Sequence, residues 1–261
     1  MSGAAGAGEG GAPRAVLLDA LGTLVALEPP APRLRTELAH RGYAVSAAAA
    51  EAAVRAEIAY YLEHHLEGGD ERSLADLRDR CAEIVRRSLD VPGLDGATAR
   101  AAMLASLSFR AQPDAAPALR ELRARGLRLV VASNWDCSLP EVLAEAGLAA
   151  LVEGTVSSGA VGAAKPDPRV FEAALAIAGV DPEEAVHVGD SVANDVAGAR
   201  AAGVRPILLL RQGEEPRPAR TSSPGAAAAS ARSGGAVAAG EADAPVIRTL
   251  AELPSLVLER G

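Results

Sequence analysis

Apolar positions along this chain follow two periods, and the change between them sets out its organisation. Ala15-Val16-Leu17-Leu18-Asp19 is a short apolar run that ends in an acid and passes into Gly22-Thr23, the way a buried parallel strand meets a loop. From Pro32 to about Ser108, Leu, Ala and charged residues recur at helical spacing. That spacing predicts helices over 33–41, 47–66, 73–89 and 97–107, punctuated by Gly42, Gly68-Gly69 and Pro92-Gly93, with no strand among them. Past Pro113 the two periods alternate. Helices are expected at 114–125, 139–146, 168–178 and 194–202, with strands at 127–132, 153–156, 185–188 and 206–210. Such alternation implies an α/β fold, a parallel sheet with helices on both faces. Val246-Ile247 and a helix over 250–258 close it.

Two stretches stand outside this pattern. Residues 1–13, rich in Gly and Ala, read as a disordered leader; their Gly6-Ala7-Gly8-Glu9-Gly10-Gly11 imitates a nucleotide loop but precedes the first strand instead of following it. Residues 212–243 hold nothing apolar larger than Ala except Val237 and are rich in Gly, Ser and Pro, so they read as a disordered insertion.

Composition narrows the function classes. With 261 residues, 49% of them hydrophobic and 23% charged, the chain has the apolar content of one large globular domain, or of a core with a smaller insertion, and disorder as the dominant state is excluded. Aromatics supply only 2%, leaving the core to Leu, Val and Ala. A net charge of −8 lacks the basic footprint of a phosphate-backbone binder, so no nucleic-acid partner is expected. No apolar run reaches the roughly 18 residues of a membrane-spanning helix, so no membrane partner is expected either. Cys81 and Cys137 form no CxxC arrangement, and reduced thiols in a cytoplasmic protein are the expectation.

Open parallel sheets bind ligands beyond the carboxyl ends of their strands, which makes those loops the place to look for chemistry. Asp19 and Thr23 follow the first expected strand, and Ser133-Asn134-Trp135-Asp136 the second. Lys165 follows the third, and Asp190 and Asp195 the fourth. The chain's one lysine and its two asparagines, Asn134 and Asn194, all fall on these loops. Three carboxylates are hard oxygen donors that suit Mg²⁺. One cation and one hydroxyl beside them suit a phosphoryl group, and a carboxylate among them is able to attack phosphorus and form an aspartyl phosphate. Taken singly, Ser133, Asn134, Asn194, Asp190 and Asp167 equally suit turns and helix caps, and Lys165 suits a surface. Their order on four strand ends favours a site.

These residues carry a family resemblance. Leu17-Leu18-Asp19-Ala20-Leu21-Gly22-Thr23-Leu24 resembles the first motif of the haloacid dehalogenase (HAD) superfamily, Val131-Ala132-Ser133-Asn134 its second, Lys165-Pro166-Asp167-Pro168 its third, and Val188-Gly189-Asp190-Ser191 to Asn194-Asp195 its fourth. Ser133-Asn134-Trp135-Asp136 and His187-Val188-Gly189-Asp190-Ser191 are most similar to the branch related to the rhythmically expressed gene 2 protein. The resemblance implies a Rossmann-like three-layer parallel sheet, the HAD core, over 14–31 and 109–261, with an inserted all-helical cap over 32–108. It implies that Asp19 is the nucleophile and a Mg²⁺ ligand, that Asp190 holds the metal, and that Asp195 ligates it or supports its ligands. The carbonyl of Leu21 would complete the metal shell. Ser133 and Thr23 would hold phosphoryl oxygens, with Asn134 and Gly22 in substrate binding. Lys165 would neutralise charge on Asp19 and on the transferring group.

The departure from the family is Leu21. HAD phosphatases place a second Asp there, which protonates the leaving oxygen and then deprotonates the attacking water. Three readings follow. In the first, a Mg²⁺-dependent phosphatase of small phosphorylated metabolites recruits another acid, with Asp136, His64 and His65 as candidates; His187, inside an apolar strand, reads as a supporting residue. In the second, the chain is a 2-haloacid dehalogenase-like hydrolase, a group that also lacks the second Asp but needs no acid at position 190. In the third, it is a catalytically weak Mg²⁺ and phosphate-binding regulatory protein. Oligomeric state is not legible.

Overall fold

The computed structural model describes residues 12–211 and 244–258. The expected leader, apart from its last two residues, and the whole of 212–243 lie outside the described residues. Eight strands and ten α-helices are described. β1 (Ala15–Leu18) and β2 (Val25–Leu27) come first. Four helices follow without interruption: α1 (Pro30–His40), α2 (Ala47–His64), α3 (Glu71–Leu89) and α4 (Gly96–Ser106). Then come β3 (Phe109–Ala111), α5 (Ala115–Ala124), β4 (Arg128–Ser133), α6 (Leu139–Glu145), β5 (Gly154–Ser157), α7 (Ser158–Val161) and α8 (Pro168–Ala178). The chain continues with β6 (Ala185–Gly189), α9 (Ala197–Ala201), β7 (Arg205–Leu209), β8 (Val246–Ile247) and α10 (Leu253–Leu258).

Six strands form one parallel sheet in the order β5-β4-β1-β6-β7-β8. β1 at its centre is apolar throughout, and β4 and β6 beside it are largely so, because both faces are covered. Alternation along β1 sends Val16 and Leu18 into one hydrophobic cluster, with Leu119, Leu143 and Leu250, and Ala15 and Leu17 into another, with Phe171 and Ala174. These two clusters are the two sides of a three-layer, Rossmann-like core. Phe171 is the largest fully buried side chain and anchors α8. Gly198 on α9 touches it so closely that a Cβ would lie 2.7 Å from the ring.

The four consecutive helices build a cluster of their own from Leu34, Leu38, Leu77, Cys81, Val85, Leu89 and Met103. The starts of α2, α3 and α4 are set by side-chain caps. Ser46 Oγ accepts from the Ala49 amide at 3.1 Å, Asp70 from Ser73 at 2.8 Å and Asp95 from Thr98 at 2.7 Å, each worth about 1 kcal/mol. The chain enters and leaves this helical unit through a short antiparallel ribbon, β2 against β3, pairing Val25 with Ala111 and Leu27 with Phe109.

The structure differs from the sequence expectation in three places. The sequence pattern gives no sign of the β2–β3 ribbon, since each strand is three residues long and its partner is remote. It gives no sign of α7 either, because Ser158-Gly159-Ala160-Val161 shows no helical period. The expected helix 194–202 opens instead as a π-type turn over Val192–Val196 before α9. That wider turn lets the Asp195 carboxylate fold back onto the Ser191 amide, 2.9 Å away.

Candidate active site at the strand ends

β1, β4 and β6 are neighbours, so the residues that follow them share one end of the sheet. Asp19, one residue past β1, is buried there. Its Oδ1 accepts two hydrogen bonds, from Ser133 Oγ at 2.9 Å and from Lys165 Nζ at 2.7 Å. Oδ2 takes no described protein donor. Lys165 Nζ also reaches Asp195 Oδ1 at 2.6 Å, and His187 Nε2 bonds that same oxygen at 2.9 Å. Both oxygens of Asp195 are therefore occupied, by Lys165 and His187 on one and by the Ser191 amide on the other.

Charge settles the protonation states of this network. Burial alone would raise the Asp195 carboxyl, but the Lys165 ammonium and the His187 bond hold it well below the usual carboxylate range. Burial alone would lower Lys165, and the charges of Asp19 and Asp195 outweigh it, so the ammonium is kept. His187, fully buried with Phe171 edge-on at 5.0 Å, is pushed below its ordinary value by burial, so it is neutral and donates its Nε2 proton to Asp195. Asp195 owes its position to Gly189. A Cβ there would lie 2.2 Å from the Asp195 carboxyl carbon, so only glycine leaves room for the carboxylate.

One oxygen each of Asp19, Asp190 and Asp195 lies within 4.8 Å of the others, all three residues being buried. Three carboxylate oxygens are the hard donors that Mg²⁺ takes, so the chemistry of this donor set fits that ion. Both Asp195 oxygens hold protein donors, which sets Asp195 to orient Lys165 beside the other two carboxylates. Thr23 gives a second sign of a missing partner: its Oγ1 is buried without one among the described residues.

Other residues singled out from the sequence have different tasks. Asn134 spends its side-chain amide on the main chain of Lys165, with Nδ2 donating to the carbonyl at 3.1 Å and Oδ1 accepting from the amide at 2.7 Å. It therefore sets the main chain of the lysine. Gly22 adopts φ +91° and its amide donates to the Val25 carbonyl at 2.8 Å, so it shapes the loop after β1. The Leu21 side chain packs against the core cluster, with no acid in its place.

The three candidate acids do not join Asp19 through any described bond. Asp136 accepts from the Ser138 amide at 2.8 Å, from Ser138 Oγ at 2.6 Å and from Tyr61 OH of α2 at 2.8 Å. It ties the loop after β4 to the helical unit. Around that bond the two units meet nearly backbone to backbone. The Cys137 amide donates to the Gly68 carbonyl at 2.8 Å, and a Cβ on Gly68, Gly69 or Gly159 would come within 2.9 Å of the opposite side. His64 pairs with Glu67 at 2.7 Å, and His65 Nδ1 with the Leu62 carbonyl at 3.0 Å. Sequence reasoning missed Tyr61, whose partner lies 75 positions away, and no local signal marks it.

A family model of haloacid dehalogenase-like hydrolases matches residues 13–203, which carry every residue of this network. The chain is a haloacid dehalogenase-like hydrolase. Among curated relatives of this hydrolase, phosphoserine phosphatase from Thermus thermophilus is 44% identical over 135 residues, 49% of this chain and 53% of its own. Human haloacid dehalogenase-like hydrolase domain-containing protein 3 is 45% identical over 92 residues, 35% of this chain and 37% of its own. The hydrolase thus matches about half of the first relative's length and less of the second's. L-2-haloacid dehalogenase from Xanthobacter autotrophicus shares its fold over 94% of this chain and 98% of its own, with a TM-score of 0.60 and 25% identity.

Proposed function

We propose that this hydrolase is a Mg²⁺-dependent phosphatase of small phosphorylated metabolites, working through phospho-Asp19. The observation that carries the reading is the convergence of Asp19, Asp190 and Asp195 within 4.8 Å, with Lys165 and Ser133 on the same oxygen of Asp19. Asp19 Oδ2, the oxygen without a protein donor, attacks phosphorus; the new O–P bond forms as the bond to the leaving oxygen breaks. Ser133 and Thr23 hold phosphoryl oxygens through their hydroxyls, and Lys165 offsets negative charge on Asp19 and on the group in transfer. Asp19, Asp190 and the Leu21 carbonyl would hold Mg²⁺, which when bound neutralises the phosphoryl oxygens and orients them for in-line attack. Water then hydrolyses the acyl phosphate and frees Asp19. The four helices act as a cap that closes over the strand ends and selects the substrate. A phosphorylated small molecule is the substrate class supported by the phosphoserine phosphatase relative, and the free thiols Cys81 and Cys137 suit the cytoplasm.

Leu21 limits the substrate range. General acid-base assistance is worth roughly 10² to 10⁴ in rate, and Leu21 supplies none. Aryl and acyl phosphates, whose leaving groups need no proton, are therefore expected to turn over faster than alkyl phosphates. The same residue favours a second reading, dehalogenation of a 2-haloacid by attack of Asp19 on carbon; the carboxylate pair Asp190 and Asp195 speaks against it. One experiment separates them. Phosphate release from p-nitrophenyl phosphate, acetyl phosphate and a panel of metabolites is measured with and without Mg²⁺, beside chloride release from 2-chloropropionate. Mg²⁺-dependent phosphate release that disappears in Asp19→Asn, with alkyl phosphates gained by Leu21→Asp, is the expected result. Chloride release that persists in excess chelator would overturn it, and saturable phosphate binding without turnover would identify a binding protein.

A further inference from the structure

The loop after β1 is held from behind by a residue that belongs to none of the four motifs. Arg211 donates from Nε to the Gly22 carbonyl at 3.1 Å and from Nη2 to the Thr23 carbonyl at 2.8 Å. The same guanidinium pairs with Asp114 in bidentate fashion, Nη1 to Oδ2 at 2.9 Å and Nη2 to Oδ1 at 3.0 Å. Asp114 Oδ2 further accepts from Thr249 Oγ1 at 2.7 Å and from the Leu250 amide at 2.8 Å. Burial of Asp114 works against its charge, but these donors outweigh it and hold the carboxyl below its ordinary value.

Gly22 and Thr23 are buried, and their carbonyls belong to no strand ladder. The next carbonyl, that of Leu24, goes to the Gln112 amide at 2.8 Å. A buried carbonyl without a donor is costly, so Arg211 decides where residues 22 and 23 rest, and with them the Thr23 hydroxyl and the Leu21 carbonyl. A planar fork suits this task, since it meets two carbonyls and one carboxylate at once where an ammonium is a point charge.

We propose that Arg211, anchored by Asp114, is a positioning residue for catalysis: it fixes the loop that carries Asp19 and Thr23. This rests on the reading of Asp19 as the nucleophile. Ser133 and Lys165 reach substrate from other strands, so loss of the clamp acts on the attack geometry more than on binding.

The test compares wild type, Arg211→Met and Arg211→Lys in two readouts: kcat and KM for p-nitrophenyl phosphate with Mg²⁺, and hydrogen exchange of amides 20–25 against those of β4 and β6. Arg211→Met is expected to lower kcat at least tenfold with KM within about threefold, and to speed exchange at 20–25 alone. Arg211→Lys keeps the charge opposite Asp114 and is the variant to rely on if the Met variant fails to fold. It is expected to lower kcat several-fold with the melting temperature close to wild type. Wild-type kcat in a folded variant, or exchange that quickens equally across the sheet, would overturn the proposal. A wild-type protein silent on this substrate would count against the phosphatase reading and the positioning role together, while exchange at 20–25 would still report whether the clamp orders the loop.

Discussion

Asp195 at the strand ends and Glu57 in the helical unit are both buried carboxyls, and the two regions treat them in opposite ways. Asp195 meets an ammonium, an imidazole N–H and a backbone amide, and is held well below the usual carboxylate range. Burial pushes Glu57 up to about 7, and a hydrogen bond with Cys81 offsets only part of it. Cys81 in turn is raised to about 12, first by burial and then by Glu57. The strand ends were built to keep charge; the helical unit was built to pack. A buried carboxylate persists only where its donors outweigh its lost hydration, and the sheet supplies those donors because several strands end side by side.

The most severe way to break the contrast is Lys165→Met. It leaves Asp19 and Asp195 without their shared cation, and removing one partner of a buried ion pair costs about 3–5 kcal/mol. Urea denaturation should show that loss, and phosphate release should vanish with it. Glu57→Gln sharpens the contrast from the other side. Glu57 keeps its proton up to about pH 7 when folded and ionises near 4.5 when unfolded, so its contribution to stability is full below pH 4.5, shrinks as pH rises to 7, and is constant above. Wild type is expected to lose on the order of 3 kcal/mol across that window, and Glu57→Gln should lack this decline; unfolding midpoints between pH 5 and 8 decide it.

Two smaller effects test how the regions are joined. Gly189→Ala drives a methyl into the Asp195 carboxylate. A destabilisation of about 1–3 kcal/mol is expected, together with a loss of turnover larger than that figure alone would give, because Lys165 loses its alignment. Tyr61→Phe removes the bond from the helical unit to Asp136. It should cost only about 1 kcal/mol and raise KM more than it lowers kcat; equal kinetics to wild type would mean the seam is held by the glycine contacts alone.

The strand ends are legible in the sequence because each motif is local: an apolar run, then the acid, serine or lysine that chemistry needs. Asp19, Ser133, Lys165 and Asp195 come together as their strand positions imply. What was not legible depends on distance along the chain. Tyr61 and Asp136 are 75 positions apart, and Arg211 and Gly22 are 189 apart. Asn134 illustrates a subtler limit, since its place beside Ser133 marks it as a site residue but only the fold shows its amide closing on Lys165. The β2–β3 ribbon was hidden for a third reason: Val-Ala-Leu is too short a run to distinguish from a loop.

The position of β1 has a consequence in time. It lies at the centre of the sheet, yet it is made well before both of its neighbours, which begin at residues 128 and 185. At ordinary synthesis rates the second of these follows by roughly 10–30 s. Until residue 128 is made neither edge of Ala15-Val16-Leu17-Leu18 has a partner, until residue 165 Asp19 lacks its lysine, and until residue 185 one edge stays open. The apolar strand that later sits between two others thus spends the first part of its life in the newborn chain with both edges bare.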